Sequence, residues 1–169
     1  EGVAHIDRII RSSERMNELI TDVLGFSELS IADFFSLTDI NQVIDEILED
    51  MELLIKEKNA TIHVVKIPEV EVNPGQMRQV FQNIISNALK FTRDRVPPVI
   101  YIRAELVEDK AVDSDVSPLG NYCRIQVSDN GIGFNEIYLD RIFSIFQRLH
   151  SKEEYEGTGI GLAIVKKII

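Results

Sequence analysis

Along residues 3–29, Ile6, Ile9, Ser13, Met16, Ile20, Val23 and Ser27 recur at alternating spacings of three and four, with charged and polar side chains between them. That seam is the pattern of a helix in a coiled coil or bundle, and no segment before Asp39 offers it a matching face, so it predicts a partner helix. A second helix is predicted to start at the cap Thr38-Asp39 and to bury Ile40, Val43, Ile44, Ile47, Leu48, Met51 and Leu54 before Asn59 ends it. The pattern then becomes strand-like in Thr61-Ile62-His63-Val64-Val65 and meets the breaker Asn73-Pro74-Gly75. Helical spacing resumes at Met77, Val80, Phe81, Ile84, Ile85, Ala88 and Leu89, closed by Pro97-Pro98.

Two alternating runs follow. Ile100, Ile102, Ala104 and Leu106 share one face of the first, and Cys123, Ile125 and Val127 one face of the second, which predicts antiparallel neighbours. The acidic, polar stretch 108–120 between them reads as a surface loop. The remainder alternates glycine-rich turns with short helices.

Composition narrows the class without changing this picture. With 169 residues, 44% of them hydrophobic and 27% charged, the chain can bury an ordinary globular core, which excludes disorder, collagen and a coiled coil over the whole length. Eighteen basic against 28 acidic side chains leave a net charge of −10, so nucleic acid is not expected as a main partner. No apolar run reaches the roughly 18 residues of a membrane span. A single cysteine, Cys123, provides neither a disulfide framework nor a zinc site and fits a reducing, cytoplasmic setting, although a longer sensor containing this chain can be membrane-anchored.

Chemistry concentrates at four places. Asn83, Asn87 and Lys90 fall at i, i+4 and i+7, a stripe roughly 60° wide bordering the apolar face of their helix. Two carboxamide oxygens and an ammonium suit a hydrated magnesium ion and a phosphate; a solvated helix face is the alternative. Asp129 continues the period of Cys123, Ile125 and Val127, which places its carboxylate on the buried face at a strand end, and Asn130-Gly131-Ile132-Gly133-Phe134 lets backbone approach a planar ligand closely. A carboxylate there can accept from an exocyclic amine such as that of adenine, but Asp-Asn-Gly is also an ordinary turn. Phe143-Ser144-Ile145-Phe146-Gln147-Arg148 leads into the polar stretch 151–156, a mobile lid on this reading, although its two phenylalanines alone read as core. Gly157-Thr158-Gly159-Ile160-Gly161-Leu162 runs into an apolar helix whose N-terminal N–H groups form an anion site, and it is no Walker motif.

Together and in this order, the four resemble the N, G1, F and G2 boxes of two-component sensor histidine kinases: Asn83 to Thr92, Asp129 to Phe134, Phe143 to Arg148 and Gly157 to Leu162. Upstream, Ser13 to Met16 and Asp22 to Ser27 look like the second helix of that family's dimerisation and phosphoacceptor domain. The resemblance implies an α+β fold, a two-layer α/β sandwich of the Bergerat type, preceded by a long dimerisation helix: residues 1–35 would be part of the dimerisation domain and 36–169 the ATP-binding domain. It implies ATP and magnesium, with Asp129, Gly131 and Gly133 at the base, Phe91 packed on it, Asn83 and Asn87 serving the metal, Lys90 and Arg148 at the phosphates, and Thr158, Gly159, Gly161 and Leu162 around the triphosphate. It further implies a homodimer through the N-terminal helix, an upstream sensor domain and a response-regulator receiver as partner.

Two departures qualify the resemblance. None of His5, His63 and His150 is followed by the Glu or Asp that accompanies the family's acceptor histidine, and the family's domain continues with a further strand beyond the helix at which Ile169 stands. The chain is therefore expected to lack its phosphoacceptor helix and C-terminal edge. The reading is an ATP-binding module that transfers the γ-phosphate to a histidine absent from this chain and thence to a regulator aspartate. The alternatives are a non-catalytic dimeric scaffold that senses nucleotide and a GHKL-type ATPase.

Overall fold

The structure, a computed structural model, describes scattered positions between 6 and 24 and then residues 34–109, 119–149, 155 and 157–169. The described positions between 6 and 24, called α1, are all helical, and the seam residues Ile6, Ile9, Met16, Ile20 and Val23 are exposed on it. The chain divides into two compact units, Phe34–Gly133 and Glu1–Asp33 with Phe134–Ile169.

In the unit Phe34–Gly133, β1 (Ser36–Thr38) leads into α2 (Ile40–Asp50). The side chain of Asp39 caps α2 by accepting from the Asn41 N–H at 2.9 Å. Asn41 also holds the backbone of Ile67 from both sides, donating to its carbonyl at 2.8 Å and accepting from its N–H at 2.9 Å. Ile40, Ile44 and Ile47 are almost wholly buried, each contributing about 1.5–3 kcal/mol of apolar burial.

The predicted continuous helix to Lys58 is two helices. Met51 leaves helical geometry at ψ 7°, and α3 (Glu52–Glu57) follows with no buried residue of its own. The apolar stripe that suggested continuity ends on Leu54, which is exposed. Asn59 does end the segment. It takes a left-handed φ of 51°, and Asn59 N–H to the Lys56 carbonyl with Ala60 N–H to the Ile55 carbonyl form a Schellman cap.

The sheet has the order β2-β4-β5: β2 (Thr61–Val64) runs parallel to β4 (Val99–Asp109), and β4 runs antiparallel to β5 (Leu119–Asp129). Ile102 faces Val127, Ala104 faces Ile125 and Leu106 faces Cys123, the pairing expected from the two alternating runs. Ile100 and Ile102 are buried while Tyr101, Arg103 and Glu105 are exposed, so the sheet is covered on one face. Leu106 departs from the expected core: it is 71% exposed, near the end of the ladder where the register shifts between Val107 and Asp109. Of the stretch 108–120 expected as a surface loop, both ends belong to strands, which reach Asp109 and begin again at Leu119; residues 110–118 lie outside the described residues. Partial burial pushes the Cys123 thiol up, away from a reactive thiolate.

The helical layer is α2 with α4 (Pro74–Lys90), whose Met77, Val80, Phe81, Ile85, Ala88 and Leu89 are buried. Arg78 on α4 spans to Glu46 at 3.1 Å and Asp50 at 2.6 Å on α2. Pro74 and Gly75 form the first turn of α4 and not a break before it: Asn73 accepts from the Gln76 N–H at 3.1 Å, and Pro74, with no N–H to satisfy, suits the first helical position. The helix stops at Lys90, well short of Pro97-Pro98, because Phe91 takes ψ 57°. A short sheet pairs β1 with β3 (Val70–Val72), two strands that the hydrophobic pattern does not announce.

The other unit holds a 3-10 turn (Glu136–Tyr138), α5 (Leu139–Ile142) and α6 (Gly161–Ile168), with Ala163 and Ile164 buried. No described helix is long and apolar enough to cross a membrane.

The cap at Asp39 generates a pH prediction. Donation from the Asn41 side-chain amide and then from its backbone N–H holds the carboxyl below its ordinary value. A depressed folded-state value adds stability above the unfolded carboxylate range and loses it as pH falls through the folded value. The stability deficit of Asp39→Ala, measured by urea unfolding, should therefore be largest near neutral pH and shrink as pH falls below the ordinary carboxylate range.

Candidate functional site

Asn83, Asn87 and Lys90 lie on one stripe of α4, each half-buried beside the apolar face. The Asn83 amide nitrogen donates to the Gln79 carbonyl at 2.9 Å, and a cation would meet the side chain at its oxygen. An oxygen-donor pair one turn apart fits a hard cation such as magnesium, and among the described residues no cluster of His, Cys, Asp or Glu competes with it. The Lys90 ammonium stands 4.6 Å from the centroid of the Phe91 ring, a cation–π contact at the helix end. Phe91 is fixed there by its N–H, which donates to the Asn87 carbonyl at 2.9 Å.

The turn after β5 meets this helix end. Ile132 N–H donates to the Phe91 carbonyl at 3.0 Å, and Arg93 Nε donates to the Gly131 carbonyl at 2.8 Å. A Cβ at Gly131 would stand 2.3 Å from the Phe91 carbonyl oxygen and 2.7 Å from Asp129 Oδ1, so only glycine fits. Asn130 accepts from the Val99 N–H at 2.9 Å and donates to the Pro97 carbonyl at 3.0 Å, tying the entry of β4 to the same turn. Gly133 takes φ 64° with open space around it.

Asp129 corrects the expectation of a buried carboxylate. It sits on the predicted face, opposite Ile100, yet it is exposed. As the last strand residue, its Oδ1 accepts from the Gly131 N–H at 2.8 Å, which turns the carboxylate toward the following turn instead of inward among aliphatic side chains. Position on a face set its direction and not its cover.

In the other unit, Gly159 takes φ 76° and its carbonyl accepts from the Phe146 N–H at 3.1 Å. A Cβ there would meet the Gln147 carbonyl oxygen at 3.0 Å and Arg148 Cγ at 3.2 Å, so the F-box and G2-box segments pack on each other. The Arg148 guanidinium donates to the Tyr155 carbonyl. Phe143 is half-buried, but Phe146 is 58% exposed with φ 63°, contrary to a core role for both phenylalanines. Gly161 and Leu162 form the first turn of α6, which has no side-chain cap, and Thr158 is half-buried just before it. His150, residues 151–154 and Glu156, where the lid was expected, lie outside the described residues.

The residues singled out from sequence thus assemble in two groups. Asn83, Asn87, Lys90, Phe91, Asp129, Gly131 and Gly133 belong to one unit, and Arg148, Thr158, Gly159, Gly161 and Leu162 to the other. Sequence reasoning assigned no role to Arg93 or Asn130. Both act on backbone groups distant in sequence, and only the turn-forming character of Asn130 left a trace in the pattern.

The family described as histidine kinase-, DNA gyrase B- and HSP90-like ATPase matches residues 72–169. The chain belongs to this ATPase family. A cyanobacterial phytochrome A from a Nostoc species is 43% identical over 155 residues, covering 91% of this chain and 19% of that protein. The sensor protein kinase WalK of Staphylococcus aureus is 33% identical over 168 residues, 93% of this chain and 36% of that sequence. The chain therefore spans a small part of these relatives. The structure of full-length ShkA in complex with AMPPNP is similar with a TM-score of 0.69 and 26% identity, over 98% of this chain and 33% of that one. The catalytic domain of the histidine kinase ThkA, in a nucleotide-free form, is similar with a TM-score of 0.62 and 24% identity over 80% of each chain, a likeness of fold. The fold is accordingly the two-layer α/β sandwich of this ATPase family, as the resemblance implied.

The crowding at Gly131 gives the second prediction. Gly131→Ala should lower stability by about 2–4 kcal/mol, since neither the Phe91 backbone nor the strand end can yield without breaking its hydrogen bonds. Denaturant unfolding measures it, and a change of a few tenths would contradict the packing described.

Proposed function

We propose that this chain is the ATP-binding catalytic module of a sensor histidine kinase, holding ATP and presenting its γ-phosphate to a histidine on a separate helix. The observation that carries the reading is the joining of the Asp129 turn to the Phe91 end of α4, which sets a carboxylate acceptor and an aromatic ring beside a half-buried lysine. Asp129 accepts from the exocyclic amine of adenine, the Phe91 ring packs on the base, and Gly131 and Gly133 let the backbone come close. Lys90 and Arg148 supply positive charge to the phosphates on a chain whose net charge of −10 otherwise repels them. Thr158, Gly159, Gly161 and Leu162 offer backbone N–H groups where α6 begins.

Asn83 and Asn87 are the residues that hold magnesium, which when bound neutralises phosphate charge. A carboxamide at position 83 cannot take a proton from water at neutral pH, which favours transfer over hydrolysis and sets the ATPase reading behind the kinase one. Residues 1–35 are assigned to the dimerisation domain and 36–169 to the ATP-binding domain. The exposed seam of α1 supports a homodimer through that helix. A receiver aspartate is the onward acceptor, and a sensor domain the upstream partner.

The third prediction tests the base contact. Asp129→Asn should weaken ATP binding by about 1–3 kcal/mol, read by calorimetry on folded protein. Equal affinity of the two proteins would overturn the assignment.

The fourth concerns transfer. His63 lies exposed in β2, stacked on Tyr101 at 4.8 Å, and Val64 follows it where a carboxylate would be needed. With γ-labelled ATP and magnesium the chain should acquire no acid-labile, alkali-stable label by itself, and should label a separately supplied phosphoacceptor helix in single turnover. Label on this chain alone would identify an internal acceptor; nucleotide binding without any transfer would favour the scaffold reading.

A further inference from the structure

Arg93 lies just beyond the end of α4, and the hydrogen bond it makes is to backbone. Its Nε donates to the Gly131 carbonyl at 2.8 Å. The same peptide group ends in the Ile132 N–H, which donates to the Phe91 carbonyl at 3.0 Å. The peptide plane between Gly131 and Ile132 is thus held at both ends, once by side chain and once by main chain. On the other side of the same residue, the Gly131 N–H donates to Asp129 Oδ1 at 2.8 Å. Glycine has the widest choice of φ and ψ, so a single anchor would leave this turn free to rotate about Gly131. Two anchors remove that freedom, and with it the freedom of the Asp129 carboxylate.

We infer that Arg93 is a positioning residue for recognition of the base: by fixing the Gly131 peptide it holds Asp129 in one orientation, with one oxygen engaged by the turn and the other directed to the exocyclic amine. The inference rests on the reading of Asp129 as the base-binding residue. The contact is one directed Nε–H bond to a neutral carbonyl, so the inference assigns the positioning to that donor and not to pairing with an opposite charge. Asp129 is exposed and has no dry pocket to orient it, so its selectivity depends on this anchoring.

The chemistry of the side chain separates the hydrogen bond from the charge. Glutamine places its amide nitrogen the same number of bonds from Cα as arginine places Nε, and methionine has similar reach with no donor. Calorimetry would compare ATP with inosine triphosphate, which carries a carbonyl in place of the amine, for the wild type, Arg93→Gln, Arg93→Met and Asp129→Asn. The expected result is a wild-type preference for ATP that Arg93→Gln keeps and Arg93→Met reduces about threefold to tenfold, toward the ratio seen in Asp129→Asn. A purely structural role would instead lower the melting temperature and weaken both nucleotides equally, and that outcome would overturn the inference. Loss of preference in Arg93→Gln equal to that in Arg93→Met would overturn it as well, since charge and not the Nε bond would then be responsible.

If the wild type fails to prefer ATP and Asp129→Asn changes nothing, the base reading itself is wrong, and the inference falls with it. Hydrogen exchange of the Gly131 and Ile132 amides in nucleotide-free protein provides a separate readout. Exchange should quicken in Arg93→Met and stay at the wild-type rate in Arg93→Gln; unchanged protection in Arg93→Met would refute the anchoring directly.

Discussion

The absence of a side chain at position 131 is the constraint on which the rest of the site depends. With a Cβ only 2.3 Å from the Phe91 carbonyl oxygen, any other residue would push the turn after β5 away from the end of α4. Two bonds between that turn and the end of α4, Ile132 to Phe91 and Arg93 to Gly131, require this approach. Asn130 then joins the turn to Pro97 and Val99, so the register that sets Ile100 opposite Asp129 is anchored by the same few residues. The end of the helix and the end of the sheet behave as one piece because backbone meets backbone there.

That arrangement answers a question raised by the exposure of Asp129. A carboxylate in water is strongly hydrated, and selectivity for one amine usually calls for burial that strips competing water away. If Asp129 reads the base as proposed, orientation stands in for burial. One oxygen is committed to the Gly131 N–H, and the direction of the other follows. A fixed acceptor loses less freedom on meeting a ligand than a rotating one does, which is the energetic meaning of preorganisation.

Much of this was legible in the residues themselves. The alternation in β4 and β5 gave the correct partners, since a slip of one residue would have turned Ile100 and Ile102 outward. The caps at Asp39 and Asn59 were read from residue type, because short polar side chains compete for helix-end N–H groups and tolerate left-handed φ. What escaped was whatever depends on distant partners. Strands β1 and β3 are three residues each, too short for a period to register, and they pair across more than thirty positions. The break at Met51 leaves the apolar spacing undisturbed, so periodicity has nothing to report there. Exposure of Asp129 and Leu106 depends on where the covering layer ends, and the alternation within a strand carries no information about that.

In the proposed kinase reading, the residue type at position 83 is what separates holding a phosphate from hydrolysing it. The Asn83 nitrogen donates to the Gln79 carbonyl of its own helix, and the carboxamide oxygen is the atom that a cation would use. An amide oxygen is a ligand for a hard cation but accepts no proton near neutral pH, so water beside it is not activated. A carboxylate in its place would bind a cation more strongly and would also serve as a base, bringing hydrolysis with it. It would add negative charge facing a triphosphate on a chain that already carries −10. On the proposed function, a neutral donor suits a site that would keep its nucleotide intact until an imidazole arrives, and that requirement would account for asparagine at position 83.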